Sequence, residues 1–126
     1  MYSHVMIGSN EQSRSRRFYD AVFGALGAKP AVVDEKGRLI YLNNGGLFMV
    51  TTPINGQKAT AANGGTIGFS CASSAQVDAW HAAGVANGGT SCEDPPGERN
   101  GAFGKLYLAY LRDPDGNKLC GLFRVG

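Results

Sequence analysis

The chain has 126 residues, 43% of them hydrophobic and 17% charged, and a formal net charge of +2 without long runs of one sign. That length holds one compact domain with a real core, not two independent ones. Its hydrophobic content excludes a disordered chain despite 19 glycines, and no apolar stretch approaches a membrane span.

Residues 2–7 read as a short strand carrying His4 in its first half. Ser9 or Asn10 is placed to cap the following helix, whose free first-turn amides need an acceptor. Phe18, Val22 and Leu26 recur every four residues on one apolar face of that helix. Gly27 ends it, since glycine takes the left-handed conformation at little cost. Strands are predicted around 31–33, 38–42 and 47–51, with hairpin chemistry in Asp34–Gly37 and Asn43–Gly46. The polar stretch between Pro53 and Gly65 reads as a connection.

A second set of elements follows: a strand over 66–70, a helix over 74–86 and a glycine stop at Gly88–Gly89. Val77, Trp80, Ala83 and Gly84 sit at contact spacing on the helix. Residues 91–104 read as a short strand and then a mobile loop. The chain closes with a strand over 105–111, the turn Asp113-Pro114-Asp115-Gly116-Asn117, and a strand over 118–124.

The sequence repeats itself. Shifted along its length, Ser3–Ile7 falls on Gly65–Phe69, Phe18 on Trp80 and Gly27 on Gly89. Gly37–Tyr41 likewise resembles Gly104–Leu108. Such a repeat means two small modules that complete one core together. Each reads β-α-β-β-β, so the expected fold is α+β: two paired modules, about residues 1–60 and 61–126, forming a curved mixed sheet around a cleft within a single domain.

Other classes find little support. The one basic cluster, Arg14, Arg16 and Arg17, reads as a solvated helix face, with no feature of a nucleic-acid binder beside it. The amino terminus lacks a signal peptide's charged start and apolar run. Three widely spaced cysteines, Cys71, Cys92 and Cys120, suit the cytoplasm better than a disulfide framework.

Ser3-His4-Val5, Arg17-Phe18-Tyr19-Asp20, Leu26-Gly27 and above all Ala109-Tyr110-Leu111-Arg112-Asp113-Pro114-Asp115-Gly116-Asn117-Lys118 resemble the vicinal oxygen chelate superfamily, which includes glyoxalases, bleomycin-resistance proteins and extradiol dioxygenases. The likeness covers both modules and implies the same paired-module fold. It does not choose a reaction, because members isomerise, open rings, epimerise, transfer thiols or only bind a drug. It also implies a homodimer, with modules paired within a chain or exchanged between chains.

The resemblance further implies metal ligands on the first and last strand of each module, usually histidine or glutamate. The repeat maps the first-strand positions to His4 and Thr66, Cys120 stands where the superfamily's closing strand usually carries glutamate, and laying the glycine turn and strand Gly45–Met49 over Gly116–Cys120 adds Met49. Divalent cations of such enzymes want several imidazoles or carboxylates, and this set offers one histidine. No cofactor is therefore expected, unless the true ligands for a divalent metal lie elsewhere, with Glu93, Glu98 and Asp113 nearest to strand ends. A soft-metal site, or Cys120 acting as a thiolate beside His4, is a weaker reading than simple packing of Met49 and Cys120.

Three functions remain open. The first is a protein that binds a small molecule in an aromatic-lined cleft, with His4, Tyr41, Met49, Thr66, Tyr107, Arg112 and Cys120 as candidate lining residues. The second is a metal-dependent lyase, isomerase or dioxygenase of the same superfamily. The third is a non-catalytic dimeric scaffold.

Overall fold

A computed structural model describes all residues, 1–126. The first module comprises β1 (Val5–Gly8), α1 (Gln12–Ala25), β2 (Val32–Val33), β3 (Leu39–Asn43) and β4 (Gly46–Thr51). The second comprises β5 (Ile67–Ser70), α2 (Ser74–Ala86), β6 (Thr90–Gly101), β7 (Gly104–Arg112) and β8 (Lys118–Arg124). The fold is α+β, with two four-stranded mixed sheets ordered β1-β4-β3-β2 and β5-β8-β7-β6. In each, the first strand runs parallel to the last, and the other pairings are antiparallel. No helix is long and apolar enough to cross a membrane.

The repeat seen in the sequence is also a register. Met6 pairs with Met49 in the first sheet, and Gly68 pairs with Cys120 in the second. Met49 and Cys120 therefore occupy equivalent places, as the aligned glycine turns predict.

Strand alternation sorts the side chains. Leu39, Tyr41, Phe48 and Val50 of the first sheet join Ala109, Leu111 and Leu119 of the second in one core with Phe18, Tyr19, Val22, Phe23, Val77 and Trp80 of the helices. The helix-facing sides of both sheets thus share one interior. Phe69 of β5 shows the joint directly, its ring lying 5.1 Å from Phe23 and 5.6 Å from Phe48 of the first module. The opposite face of each sheet lies outside this core.

Polar contacts lock the joint. Asp113 accepts from the Tyr19 hydroxyl at 2.5 Å and from the backbone amides of Asp115 and Asn117 at 2.9 Å. Asp115 accepts from the Asn10 amide, Arg14 and the Ser15 hydroxyl. The aspartate-rich turn of the second module is therefore seated on the amino end of α1, where negative charge is favoured. Arg17 closes the other side by donating to the Ala86 carbonyl at 3.0 Å. With Arg16 beside Asp20 at 3.7 Å, all three arginines of the basic helix face have partners in the chain.

Several boundaries differ from expectation. Residue Glu11, not Ser9 or Asn10, stands at the start of α1, and no side chain caps it locally. Ser9 instead accepts from the Glu11 amide, and Asn10 holds the connection by a reciprocal pair of bonds with Ala59. By contrast, α2 is capped by its own side chains: Ser73 accepts from the Gln76 amide, and Gln76 reaches back past the cap to accept from the Ala72 amide. The stretch expected to be a short strand and mobile loop is one long strand, β6, interrupted by a bulge between Cys92 and Gly97. The two prolines and glycine sit in and beside that bulge, where a missing donor costs no ladder bond.

Candidate functional site

A cavity of about 330 Å³ opens at the seam between the modules. Its walls are Phe23 and Leu26 from α1 and its end, Tyr41 and Phe48 from the first sheet, and Ile67 and Phe69 from β5. Asn43, Asn44 and Ser70 bring polar groups to it. Four aromatic rings and a few hydrogen-bonding groups in this volume match the make-up of a small-ligand site.

Each aromatic wall has a local cause. Tyr41 and Phe48 face each other across the β3–β4 ladder, which puts both rings on the helix side. Phe23 follows Val22 on the buried face of α1 and lies 4.8 Å from Tyr41 and 5.1 Å from Phe48, ring to ring. The Tyr41 hydroxyl donates to Asp20 at 2.8 Å. Burial, and then that bond to a carboxylate, push the phenol well above its ordinary range. Tyr41 therefore stays a neutral hydrogen-bonding wall residue. Phe23 and Phe69 are cavity residues that the sequence reading did not single out. The alternation Ile67-x-Phe69 is the signal that places Phe69 on the inner side.

Of the seven candidate lining residues, one borders this cavity. Tyr41 lines the cavity. Tyr107 is on the helix side of β7 and donates to Asp78 of α2 at 2.7 Å, which raises its phenol. His4 and Thr66 are exposed residues just before β1 and β5, and His4 meets Ser3 at 2.8 Å. Met49 and Cys120 are buried, each on its own sheet. Arg112 lies at the exposed end of β7, donating to the Gly116 carbonyl at 3.0 Å.

Of the metal positions implied by the resemblance, His4 and Thr66 precede β1 and β5, while Met49 and Cys120 lie within β4 and β8. No group of three or more histidine, cysteine, aspartate or glutamate side chains comes together that suits a metal ion. An imidazole, a thioether, a hydroxyl and a thiol do not make the oxygen- and nitrogen-rich set that a hard or borderline divalent cation needs. Glu93, Glu98 and Asp113 do not repair it: Glu93 and Glu98 pair with lysines, and Asp113 is committed to the joint.

Cys120 is no activated nucleophile. Burial is the main cause that pushes its thiol up to about 11, and the nearby Tyr110 hydrogen bond offsets only part of this. Alkylation by iodoacetamide at pH 7.5 is therefore expected to spare Cys120 and to take the less buried Cys92 first. Cys120 labelling should climb about tenfold per pH unit toward pH 11, because only the thiolate reacts. Rapid labelling of Cys120 at neutral pH, read by peptide mass spectrometry, would contradict this placement.

Comparison with known proteins now decides the family. Residues 2–120 match the family described as the glyoxalase/bleomycin resistance protein/dioxygenase superfamily. The chain belongs to this superfamily. A glyoxalase/bleomycin resistance protein from Albidiferax ferrireducens T118 is 60% identical, with 98% of this chain and 99% of that chain covered and a TM-score of 0.95. A glyoxalase-related enzyme from Fulvimarina pelagi shares 21% identity over 98% of this chain and 88% of that one, with a TM-score of 0.74. A lactoylglutathione lyase from Agrobacterium tumefaciens shares 20% identity over 98% and 92%, with a TM-score of 0.67. At those lower identities the likeness is one of fold alone. No curated protein matches the sequence significantly. As a superfamily member, the chain keeps the paired βαβββ modules, and the positions that the resemblance maps to metal ligands carry His4, Met49, Thr66 and Cys120.

Proposed function

We propose that this superfamily member binds a small, largely apolar molecule in the aromatic cavity between its modules and does so without the superfamily's usual metal chemistry. The observation that carries this reading is the cavity itself: about 330 Å³, walled by Phe23, Tyr41, Phe48 and Phe69. The ligand class follows from the lining, which offers no carboxylate, ammonium or guanidinium. Recognition then rests on apolar area and on amide or hydroxyl contacts from Asn43, Asn44 and Ser70.

A second copy of the chain is proposed to complete the site. β1 and β5, which border the seam, are both edge strands with unpaired backbone groups. The accessible surface is 7305 Å², against roughly 6,400 Å² for a compact monomer of this mass. The difference is about one partner's share of a standard interface. A copy laid along the two edges would cover that surface and narrow the cavity mouth. The three free cysteines suit a reducing compartment such as the cytoplasm.

Titration with 1-naphthol, followed by NMR, tests the binding reading, with sedimentation and elemental analysis on the same sample. Expected are shifts confined to Phe23, Tyr41, Phe48 and Phe69, a dimer in sedimentation, and substoichiometric metal. Naphthol without effect on those residues would sink the cavity assignment. One tightly held divalent ion per chain would instead favour the metal-dependent enzyme.

A further inference from the structure

The outer face of the second sheet carries a group of side chains that the cavity does not use. Across the β7–β8 ladder, Arg112 stands directly opposite Lys118, and Tyr110 directly opposite Cys120. The alternating partners Leu111 and Leu119 are fully buried in the core, so the Arg112, Lys118, Tyr110 and Cys120 positions belong to the other face. Like charges placed opposite each other on neighbouring strands repel. Two cations in this position therefore favour an anion between them.

The chain supplies only one. Lys118 forms an ion pair with Glu93, and its ammonium lies 4.8 Å from the centre of the Tyr110 ring. Arg112 has no carboxylate partner among the chain's ion pairs, and its one side-chain bond goes to the neutral Gly116 carbonyl. One positive charge is left over.

Glu93 reaches Lys118 by an unusual route. It lies on β6, separated from β8 by β7, in the bulge where Glu93–Pro96 stand opposite Ala109 alone. Its φ is +57°, one of two positive values among non-glycine residues. L side chains seldom hold that conformation without a compensating contact. Bulges re-aim side chains, and this one carries a carboxylate across Tyr110 to Lys118.

We propose that the outer face of the second sheet binds a small carboxylate between Arg112 and Lys118, with Glu93 holding Lys118 in place and masking part of its charge. Arg112 offers the planar fork that fits a carboxylate. Next to the cations on the same face, the partly exposed Tyr110 ring offers apolar surface for the body of the ligand. Tyr110 gives a ring face over which Lys118 is steadied. This site is separate from the aromatic cavity and does not depend on it.

Benzoate and its neutral isostere benzamide are the probes, titrated into the whole protein while backbone amide shifts are followed. Benzoate is expected to shift the amides of Tyr110, Arg112 and Lys118, with affinity at least tenfold above that of benzamide and falling as salt is added. Lys118→Met should weaken benzoate tenfold or more. Glu93→Gln should act in the opposite direction and tighten it several-fold, because it unmasks the ammonium. This sign reversal also guards against misreading a variant that merely folds poorly. Equal binding of the two probes, no shifts at these residues, or benzoate affinity unchanged in Lys118→Met would each overturn the site. None of these results bears on naphthol in the cavity.

Discussion

Asp113→Ala is expected to destabilise the protein by about 3–5 kcal/mol, seen as a fall of roughly 10–20 °C in Tm. Asp113 is 4% exposed and accepts from the Tyr19 hydroxyl, two backbone amides and the Asn117 side chain. Removing the carboxylate leaves the fully buried Tyr19 hydroxyl without its partner, which costs more than the bond itself contributed. It also loosens the turn that seats Asp115 on α1, so two modules and not one lose an anchor. Asp113→Asn keeps two lone pairs for the backbone amides and should cost about half as much. Thermal melts of both variants give the comparison. A loss below about 1 kcal/mol for the alanine variant would show that the turn is not a clamp.

Gly89→Ala is expected to be nearly as damaging, at about 2–4 kcal/mol. A methyl group there would lie 2.4 Å from the Phe18 ring, 2.9 Å from the Gly84 carbonyl and 3.1 Å from the Arg112 carbonyl. Two of those neighbours are backbone and the third is a packed core ring, so none yields cheaply. Gly68→Ala is the control, because a methyl group at Gly68 meets nothing within 4 Å, and its effect should stay within about 0.5 kcal/mol. Chemical denaturation separates the two variants. Similar midpoints for both would mean that the α2–β6 corner has room to relax, contrary to its packing.

Gly89 also shows where a repeat in the sequence stops being informative. Laid over Gly27, it was expected to share that residue's role of ending a helix. Gly27 does take a positive φ of 86°, but in the second module the positive φ belongs to Gly88, at 97°. Gly89 is required for close approach to Phe18, a residue of the other module. Spacing can reveal a turn, whereas the need for space depends on what arrives from elsewhere in the chain.

The same division runs through the candidate site. The equivalence of Met49 and Cys120 was legible, because paired glycine turns set the register of β4 and β8. The cavity was not. Tyr41 and Tyr107 have the same apparent character in the sequence, yet Tyr41 lines the cavity and Tyr107 bonds to α2. Phe69 became a wall only because the second module's inner side packs on Phe23 and Phe48.

By itself, then, the sequence determined both helices, most of the strands and the two-module repeat, which follow from periodicity and turn chemistry acting within a few residues, while the family followed from the resemblance of its motifs. Tertiary structure alone decided which faces are shared, which carboxylates are spent on the joint, and where open space remains. Asp115 meets Arg14, and Glu93 meets Lys118, across long stretches of chain. Such meetings depend on how strands and modules stack, a property that no local pattern encodes.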